Sequence, residues 1–545
     1  MPQSIPTNLF DVLAESARRY GDREFLVIGR RDEVATFNQL AARAELFGRM
    51  LWQLGIRPGD RVGLWMTNRV DWAVAAYGAA RIGAVIVSIN TRLAPREVAH
   101  LLTLSEAKLW ILEANFLGKI QATDRIDPVL NQMAAAGCPV PQVLVRPVEQ
   151  ETYPGTLGWG QQLERAKDVS ELAPARELVA RSGKGEFPEL ADVCVIISTS
   201  GTTAAPKGVM LGHRQLTALA RACGRRQELT AQDRFYSIGP FFHTSGYMHA
   251  ILTCLTTGTT LFDTQRFQVD EAMDVMIGEK VTAYHGFIGV LKESVAHPRF
   301  RREDYRSFTR AWYSAPAADM QLLEDAMGAK QCELYGLTET GGNVAMTRTT
   351  DPVGMRHDSD GQPHDGLEVA IIDPQTRQPL PEGTSGEIVV RGWNVMHGYF
   401  RDPEATHKAI DEGGWLHTGD QGVRLPGGFI KFLSRIKDVI RVGGENLSPM
   451  EVEEVVLQHP AVDQVAVVAA PHERLTEVPV AFVVLKQSVC ANEGELTAYC
   501  KAQLANFKVP TRFIFVASLP RTDATNRIQK QKLRDMLKEM LEGGI

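Results

Sequence analysis

The sequence predicts an α/β protein in which mostly parallel sheets are covered by helices, followed by a small α+β domain. Strand and helix patterns alternate near the N-terminus, where residues 61–66 are typical of a strand and residues 72–89 of a helix, a turn and a second strand. A run of apolar residues from Val193 to Ile197 is typical of a buried strand. With 545 residues the chain exceeds one typical core, so we expect several subdomains.

The remaining N-terminal elements follow from the same patterns. Residues 8–20 carry apolar positions at helical spacing, residues 35–37 form a short strand pattern, and residues 38–54 predict another helix. Residues 145–190 are irregular and predict a surface connection. A helix is predicted at 213–226 and a strand at 233–242.

Alternating apolar residues bounded by Gly and Pro predict a small antiparallel subdomain that begins within 366–400. Beyond it we expect strands at 462–471, 479–485 and 511–520, and a helix within 490–504. Ser448, Pro449 and Glu451 predict a helix start with a capping box, and Val452, Val455 and Val456 its buried stripe. The family resemblance described below implies a domain boundary just before this region, giving residues 1–436 and 437–545.

Composition excludes several classes of protein. A net charge of −6 argues against broad binding to nucleic acid or anionic membrane surfaces. The seven cysteines are scattered and never spaced as C-x-x-C, which favours reduced thiols over disulfides or a zinc site. The N-terminus lacks a signal-peptide pattern, and Arg81 interrupts the longest apolar stretch, so we expect no transmembrane helix and a cytoplasmic location.

A loop rich in hydroxyls follows the strand that begins at Val193. Side-chain hydroxyls, backbone N–H groups and one lysine can surround a phosphate; the candidate residues are Thr199, Ser200, Gly201, Thr202, Thr203 and Lys207. A Walker A loop would place Gly directly before Lys, whereas Pro206 stands there. An ordinary polar loop after a core strand is the other alternative.

Two further segments carry residues suited to nucleotide chemistry. In Y-G-L-T-E the Tyr335 ring can stack on a purine, Gly336 lets the backbone approach a phosphate, and Thr338 supplies a hydroxyl. Glu339 is a hard oxygen ligand suited to Mg²⁺. In T-G-D the Asp420 carboxylate can accept hydrogen bonds from both hydroxyls of a ribose.

The order T-S-G-T-T-x-x-P-K-G, then Y-G-x-T-E, then T-G-D resembles the adenylate-forming superfamily, and within it the acyl-CoA ligase branch. The resemblance spans nearly the whole chain, although Ala204 replaces the usual Gly of the first motif. It implies a large N-terminal domain with two α/β sheet subdomains and a small β-barrel subdomain. A mobile C-terminal lid would follow, turning about a hinge at Lys437.

The resemblance also implies cofactors and site residues. CoA and ATP or AMP are implied, with Mg²⁺ if adenylation is retained. The turn against adenine would be Ser314, Ala315 and Pro316, and Arg435 would reach the ribose. The acyl pocket would include His243, Tyr247, Tyr284 and Phe287, and Arg441, Gly443 and Gly444 would lead to and line the CoA tunnel.

One departure from the family pattern concerns catalysis. In D-A-T-N-R-I-Q-K, Arg527 stands where the family has the lysine that assists adenylation, and Asp523 is one additional residue. The hypothesis is a ligase that converts an acyl-adenylate, supplied by a separate adenylating ligase, into an acyl-CoA thioester. A complete two-step ligase using Arg527 or Lys530 stays open, as do an oxygenase of the luciferase type and a non-catalytic relative. An amino-acid adenylation domain is less favoured, because no carrier domain follows and no Asp is available for an amino group.

Overall fold

The computed structural model describes residues 8–116, 120–121, 123–146, 154–169, 172–179, 190, 192–199, 207–442, 445–472, 475–487, 489–504, 506–522 and 527–542. The α-helices of these residues are α1 Leu9–Tyr20, α2 Phe37–Gln53, α3 Val70–Ile82, α4 Pro95–Ser105, α5 Ile126–Ala135, α6 Trp159–Ala166, α7 Ala175–Val179, α8 His213–Arg226, α9 Thr253–Thr257, α10 Val269–Gly278, α11 Ile288–Ala296, α12 Ala317–Met327, α13 Val353–Asp358, α14 Pro403–Ala409, α15 Pro449–Leu457, α16 Glu493–Lys501 and α17 Lys530–Glu542.

The strands of the first half of the chain are β1 Glu24–Ile28, β2 Glu33–Thr36, β3 Arg61–Trp65, β4 Val85–Ser88, β5 Leu109–Glu113, β6 Asn115–Phe116, β7 Ile120–Gln121, β8 Gln142–Arg146, β9 Leu157–Gly158, β10 Val193–Thr199, β11 Lys207–Gly212, β12 Arg234–Ser237 and β13 Thr260–Asp263. Those of the second half are β14 Ala283–His285, β15 Arg310–Trp312, β16 Lys330–Cys332, β17 Leu334–Tyr335, β18 Ala345–Met346, β19 Gln362–Pro363, β20 Glu368–Ile372, β21 Ser385–Arg391, β22 Gly398–Tyr399, β23 Leu416–Leu425, β24 Phe429–Arg435, β25 Ile440–Val442, β26 Glu445–Leu447, β27 Val462–His472, β28 Thr476–Leu485 and β29 Arg512–Phe515.

Two large sheets confirm the α/β prediction. One has the order β22-β11-β10-β4-β3-β5-β8-β9, with parallel pairing from β10 through β4, β3, β5 and β8. The other has the order β16-β15-β14-β12-β13-β1-β2 and is parallel except for β2. Helices bury both faces of such sheets, which is why β3, β4 and β5 are buried along their length and mostly apolar.

The chain divides into two compact units. The first unit holds residues 1–368 and 390–416, and the second holds residues 369–389 and 417–545. The second unit contains a sheet of order β20-β21-β23-β24 and a sheet in which β26, β25, β28 and β27 follow one another and β29 pairs with β28. Where the resemblance implied a small β-barrel subdomain, the described residues include the four-stranded sheet β20-β21-β23-β24.

Three local expectations were wrong or incomplete. Residues 145–190 are more than a surface connection, because Trp159 of α6 is buried against Phe47 of α2, with ring centroids 4.6 Å apart. Ser448 and Pro449 do begin α15, but the Ser448 hydroxyl donates to the carbonyl oxygen of Leu433 at 2.9 Å, and Glu451 pairs with Lys508, so no capping box forms. The helix α17 was not predicted.

Candidate functional site

The hydroxyl-rich loop connects two antiparallel strands. Thr199 at the end of β10 lies opposite Lys207 at the start of β11. A Walker A loop would lead directly into a helix, whereas here the chain continues as a strand, and α8 begins only at His213. Ser200, Gly201, Thr202 and Thr203 of the predicted phosphate loop, together with Ala204 and the side chain of Thr199, lie outside the described residues.

Tyr399 contacts both Lys207, which is predicted to face a phosphate, and Glu339, the predicted metal ligand. It lies on β22, opposite Val209 of β11. The Lys207 ammonium lies over the Tyr399 ring, 4.8 Å from its centroid. The Tyr399 hydroxyl donates to Glu339 Oε1 at 2.8 Å. Tyr399 was not among the residues predicted from the sequence. The pair Gly398-Tyr399 at the end of the segment 386–399 was a usable signal.

The Y-G-L-T-E segment has a backbone that only glycine fits. A Cβ at Gly336 would lie 2.3 Å from the Gly342 carbonyl oxygen and 2.5 Å from Asn343 Cα. Tyr335 is buried on β17 and pairs with Ala345 of β18. Thr338 and Glu339 follow in a short 3₁₀ helix, and the Glu339 carbonyl accepts from the Met396 amide at 2.8 Å.

A buried carboxylate holds the turn predicted to face adenine. Glu333 Oε2 accepts from the backbone amide of Ala315 at 3.1 Å, in the turn of Ser314, Ala315 and Pro316. Burial raises the pKa of Glu333 well above its usual range, and the nearby Asp360 carboxyl raises it further. Glu333 directly precedes β17. A carboxylate two residues before Tyr335 of the Y-G-L-T-E segment was a signal in the sequence that was not used.

The predicted acyl-pocket residues lie at and after the segment F-H-T-S-G. His243 is half-buried, and its Nδ1 accepts from the Ser245 amide at 3.2 Å. Residues Ser245–Leu252 form a π-helix, a rare element that often marks functional sites. Tyr247 and Tyr284 are buried in hydrophobic core clusters, and the Tyr284 hydroxyl donates to the carbonyl oxygen of Phe287 at 2.9 Å.

Two neutral histidines pack behind His243. The rings of His249 and His285 stack with centroids 4.3 Å apart. Burial lowers the pKa of His249 to about 4 and that of His285 well below its usual range. The His249 Nε2 donates to the carbonyl oxygen of Gly342 at 3.0 Å and the His285 Nδ1 to that of Trp312 at 3.0 Å, which fixes both tautomers.

The second unit brings its two predicted ribose residues together. Asp420 on β23 lies opposite Arg435 on β24, and the Arg435 Nε is 2.9 Å from Asp420 Oδ1. Asp420 is 2% exposed. The turn before it is held by Glu387, which accepts from the Gly419 amide at 3.1 Å and lies 3.0 Å from His417 Nδ1. This places a carboxylate and a guanidinium side by side on neighbouring strands.

The predicted hinge and CoA tunnel are described only in part. Lys437 lies in the 3₁₀ turn Ile436–Asp438, and Arg441 lies on β25 opposite Asn446 of β26. The side chains of Lys437 and Arg441 lie outside the described residues, as do Gly443 and Gly444.

Arg527 ends a tight hairpin. The Thr522 amide donates to the Arg527 carbonyl oxygen at 2.7 Å, and the Arg527 amide donates to Thr522 Oγ1 at 3.0 Å. A further antiparallel bridge joins Arg521 and Ile528. Residues 523–526 lie outside the described residues, whereas Arg527 itself is described and exposed. The residues that flank the tip are therefore in register.

The fold, with a large unit built on two α/β sheets and a smaller second unit, matches that of adenylate-forming enzymes. The chain belongs to the AMP-binding enzyme family: the family model described as AMP-binding enzyme matches residues 13–400, and that described as AMP-binding enzyme C-terminal domain matches residues 451–525. It is an enzyme of the acyl-CoA synthetase type. No helix in the described part of the chain has the length and apolar character needed to cross a membrane.

Curated relatives and solved structures agree with this family. The chain is 35% identical over 537 residues to the 3-[(3aS,4S,7aS)-7a-methyl-1,5-dioxo-octahydro-1H-inden-4-yl]propanoyl:CoA ligase of Rhodococcus jostii (strain RHA1), covering 97% of this chain and 99% of the relative. It is 30% identical to 4-coumarate--CoA ligase 1 of Petroselinum crispum, covering 97% and 94%. The anthranilate CoA ligase AuaEII in complex with anthranoyl-AMP superposes with a TM-score of 0.85 at 25% identity, covering 99% of each chain.

Proposed function

We propose that this chain forms an acyl-CoA thioester from an acyl-adenylate and CoA, and that its own ATP-dependent adenylation is the weaker half-reaction. The observation that carries the proposal is Arg527 at the position where the family pattern has lysine, after a hairpin tip that is one residue longer. The other adenylate-binding motifs resemble the family pattern, with Ala204 and Ser314 standing where the family usually has Gly.

The two half-reactions make different demands on the protein. In adenylation a carboxylate oxygen of the acid attacks the α-phosphorus of ATP, the bond to the β-phosphate oxygen breaks, and pyrophosphate leaves. In thioester formation the CoA sulfur attacks the acyl carbon, its proton is lost, and AMP leaves with the bridging oxygen. A cation between the carboxylate and the α-phosphate helps only the first step, because charge develops there.

The described residues have distinct tasks in this proposal. Tyr335 stacks on the adenine, Asp420 and Arg435 bind the ribose, and Lys207 faces the ATP phosphates. Glu339 fits as one ligand for Mg²⁺, because within the described part of the chain its carboxylate accepts from one hydroxyl, that of Tyr399, at 2.8 Å. When bound, the ion would neutralise charge on the phosphates, whose oxygens and water would supply its other ligands.

Arginine does not replace lysine without loss at such a position. Its guanidinium is a planar fork on a stem of different reach, whereas the lysine ammonium is a compact point charge. A misplacement of about 1 Å can cost roughly a hundredfold in a step that depends on orientation. The Arg527 amide is hydrogen-bonded to Thr522. The backbone at Arg527 is therefore held in place and cannot shift to compensate for the different side chain.

The neighbouring basic residues are already engaged. Lys530 Nζ lies 2.7 Å from Glu453 Oε1, and Arg534 Nη2 lies 2.9 Å from Asp438 Oδ1. Glu453 is 16% exposed and also accepts from the Val467 amide at 2.6 Å, so it is fixed on both sides. Moving Lys530 to the catalytic position would leave that carboxylate without its cation.

A complete two-step ligase is the second candidate. It is favoured because Arg527 keeps a positive charge and because the similar proteins are named as CoA ligases, among them one solved with anthranoyl-AMP bound. In the first candidate a separate adenylating ligase supplies the acyl-adenylate; in the second no such partner is needed. The acids in the relatives' names differ widely, so a bicyclic propanoyl-adenylate and a coumaroyl-adenylate are the starting substrates for a screen.

The two candidates are separated by measuring each half-reaction alone. Purified protein is given ATP, Mg²⁺ and candidate acids, and pyrophosphate release is followed; in parallel it is given synthetic acyl-adenylates and CoA, and thioester is followed. We expect thioester formation from an adenylate at least about a hundredfold faster than pyrophosphate release from its acid. Comparable rates would establish the two-step ligase.

Substitution at the hairpin tests the cause. Arg527→Lys should raise pyrophosphate release by tenfold or more and leave transfer from the adenylate unchanged. Arg521→Lys is the matched control, since Arg521 lies on the same hairpin and its Nη2 donates to Gln464 Oε1 at 3.0 Å. If Arg527→Lys behaves like the control, the inserted residue or Ala204 limits adenylation instead.

A further inference from the structure

A cavity lined by arginines lies at the C-terminal end of α8, in the first unit. It encloses about 200 Å³, and its lining residues are Ala222, Arg225, Arg226, Arg348, His364 and Asp365. Since α8 has 14 residues, its C-terminal end lies ~20 Å along the helix from the end that follows the β10–β11 hairpin. The cavity is therefore not part of the predicted phosphate loop.

The three guanidinium groups differ in how many of their donors are already hydrogen-bonded within the protein. Arg226 is buried and donates to the carbonyl oxygens of Met346, Gln362 and Pro363 at 2.8, 3.0 and 3.2 Å. Arg348 uses its Nη1 on Gln362 Oε1 at 2.7 Å. Arg225 is exposed, and among the described residues its side chain has no hydrogen-bond acceptor or ion-pair partner. Donors of Arg348 and Arg225 thus remain for a ligand.

The electrostatic balance of the cavity is positive. Three arginines face one carboxylate, Asp365, and the remaining titratable group, His364, is buried and hydrogen-bonded to Asn343 Oδ1 at 2.7 Å. Burial, together with the charges of Arg226, Arg225 and Arg348, lowers the pKa of His364 to about 3. The same positive potential that keeps His364 neutral attracts an anion.

We propose that this cavity binds a phosphate dianion, either free or as a terminal phosphomonoester. Arginine forks match the geometry of phosphate oxygens, and a doubly charged anion balances the net charge that the lining carries. Arg226 is held rigid by three carbonyl oxygens and sets the base of the site, while Arg225 and Arg348 supply donors from its sides. This inference does not depend on the proposed function.

The test is calorimetric titration of the full-length protein with inorganic phosphate at fixed ionic strength. The double variant Arg225→Gln/Arg348→Gln should bind phosphate at least tenfold more weakly than the wild type. Arg221→Gln is the control for loss of a single positive charge on α8, because its guanidinium pairs with Glu15, outside the cavity. Equal affinities of the wild type and the double variant would overturn the proposal.

A variant that is expected to bind phosphate more tightly keeps the proposal testable even if the double variant misfolds. Asp365→Asn removes the only carboxylate of the lining and should tighten phosphate binding severalfold; unchanged or weaker binding would count against the site. Pyrophosphate and adenosine 3′,5′-bisphosphate are titrated in the same way to distinguish a free phosphate from a phosphomonoester. If none of the three anions shows a loss of affinity in the double variant, the cavity is not an anion site.

Discussion

Two hairpins present the basic residues of this enzyme, and they differ in how the side chain is held. In the first unit, Lys207 begins β11 and its ammonium lies over the Tyr399 ring, which in turn donates to Glu339. In the second unit, Arg527 ends a hairpin whose backbone is paired with Thr522, but its side chain is exposed. The Lys207 ammonium thus packs on an aromatic ring, whereas Arg527 is exposed to solvent.

This difference bears on the proposal that Arg527 weakens the adenylation step. A side chain fixed by its neighbours tolerates changes in the loop that precedes it, because tertiary contacts set its position. The reach of an exposed side chain depends on its own length. In the proposed function, the exchange of lysine for arginine and the additional residue change the placement of the charge.

The largest expected effect of a single change is in the second unit. Asp420→Ala removes the carboxylate predicted to bind the ribose and leaves the Arg435 guanidinium without its partner at 2.9 Å. We expect thioester formation from an acyl-adenylate to fall by about a hundredfold or more, mostly through a raised KM. Asp373→Asn, in an exposed turn of the same unit, is the control. A loss below about threefold for Asp420→Ala would remove Asp420 from the site.

Lowering the pH should destabilise the first unit more than the second. The histidines whose pKa burial lowers all lie in the first unit: His213 to about 3, His249 to about 4 and His364 to about 3, with the pKa values of His285 and His397 lowered as well. A pKa of about 4 in the folded chain against 6.5 in the unfolded chain means that the unfolded state binds the extra proton. The stability contributed by neutral His249 is therefore complete above pH 6.5 and is lost as the pH falls toward 4.

We expect the free energy of unfolding of the first unit to fall by about 1.4 kcal/mol per pH unit and per histidine in this range. All eight tryptophans lie in the first unit, so tryptophan fluorescence reports on it alone. His249→Gln should make the pH dependence shallower, and the exposed His472→Gln of the second unit should not. Identical slopes in both variants would contradict the buried neutral state of His249.

Tyr399→Phe tests the rigid hairpin. It removes the hydrogen bond to Glu339 and keeps the ring under Lys207, so MgATP affinity should fall by roughly tenfold while AMP affinity stays unchanged. Tyr399→Leu also removes the ring and should weaken MgATP further. Calorimetric titration of both nucleotides, with Tyr499→Phe of the second unit as control, gives the comparison. Equal losses for AMP and MgATP would indicate a general structural role for Tyr399.

The smallest effect concerns the start of α15. Ser448→Ala removes the hydroxyl that donates to the Leu433 carbonyl oxygen and should lower the stability of the second unit by about 1 kcal/mol. Glu451→Gln should cost less than about 0.5 kcal/mol, since the Lys508–Glu451 pair is partly exposed. Hydrogen exchange of the second unit in denaturant measures both. Equal losses of stability in Ser448→Ala and Glu451→Gln would favour a capping box, which the structure lacks.

Local patterns predicted the elements well. The bounds of α8 at 213–226 were predicted to the residue, and the strand–helix–strand order around α3 was confirmed, because apolar periodicity and turn residues act over short range. The contacts of Tyr399 with Lys207 and Glu339 could not be predicted, because they join segments far apart in the chain. The same reason applies to Glu333 on the Ala315 amide and to Ser448 on the Leu433 carbonyl.

The central claim is that the two half-reactions have become unequal because of Arg527. Single-turnover kinetics on the wild type and Arg527→Lys test it directly, with acyl-adenylate formation from ATP measured beside thioester formation from preformed adenylate. The account predicts that transfer exceeds adenylation at least about a hundredfold in the wild type and that Arg527→Lys narrows this ratio by tenfold or more. Similar rates of the two half-reactions in the wild type would contradict it.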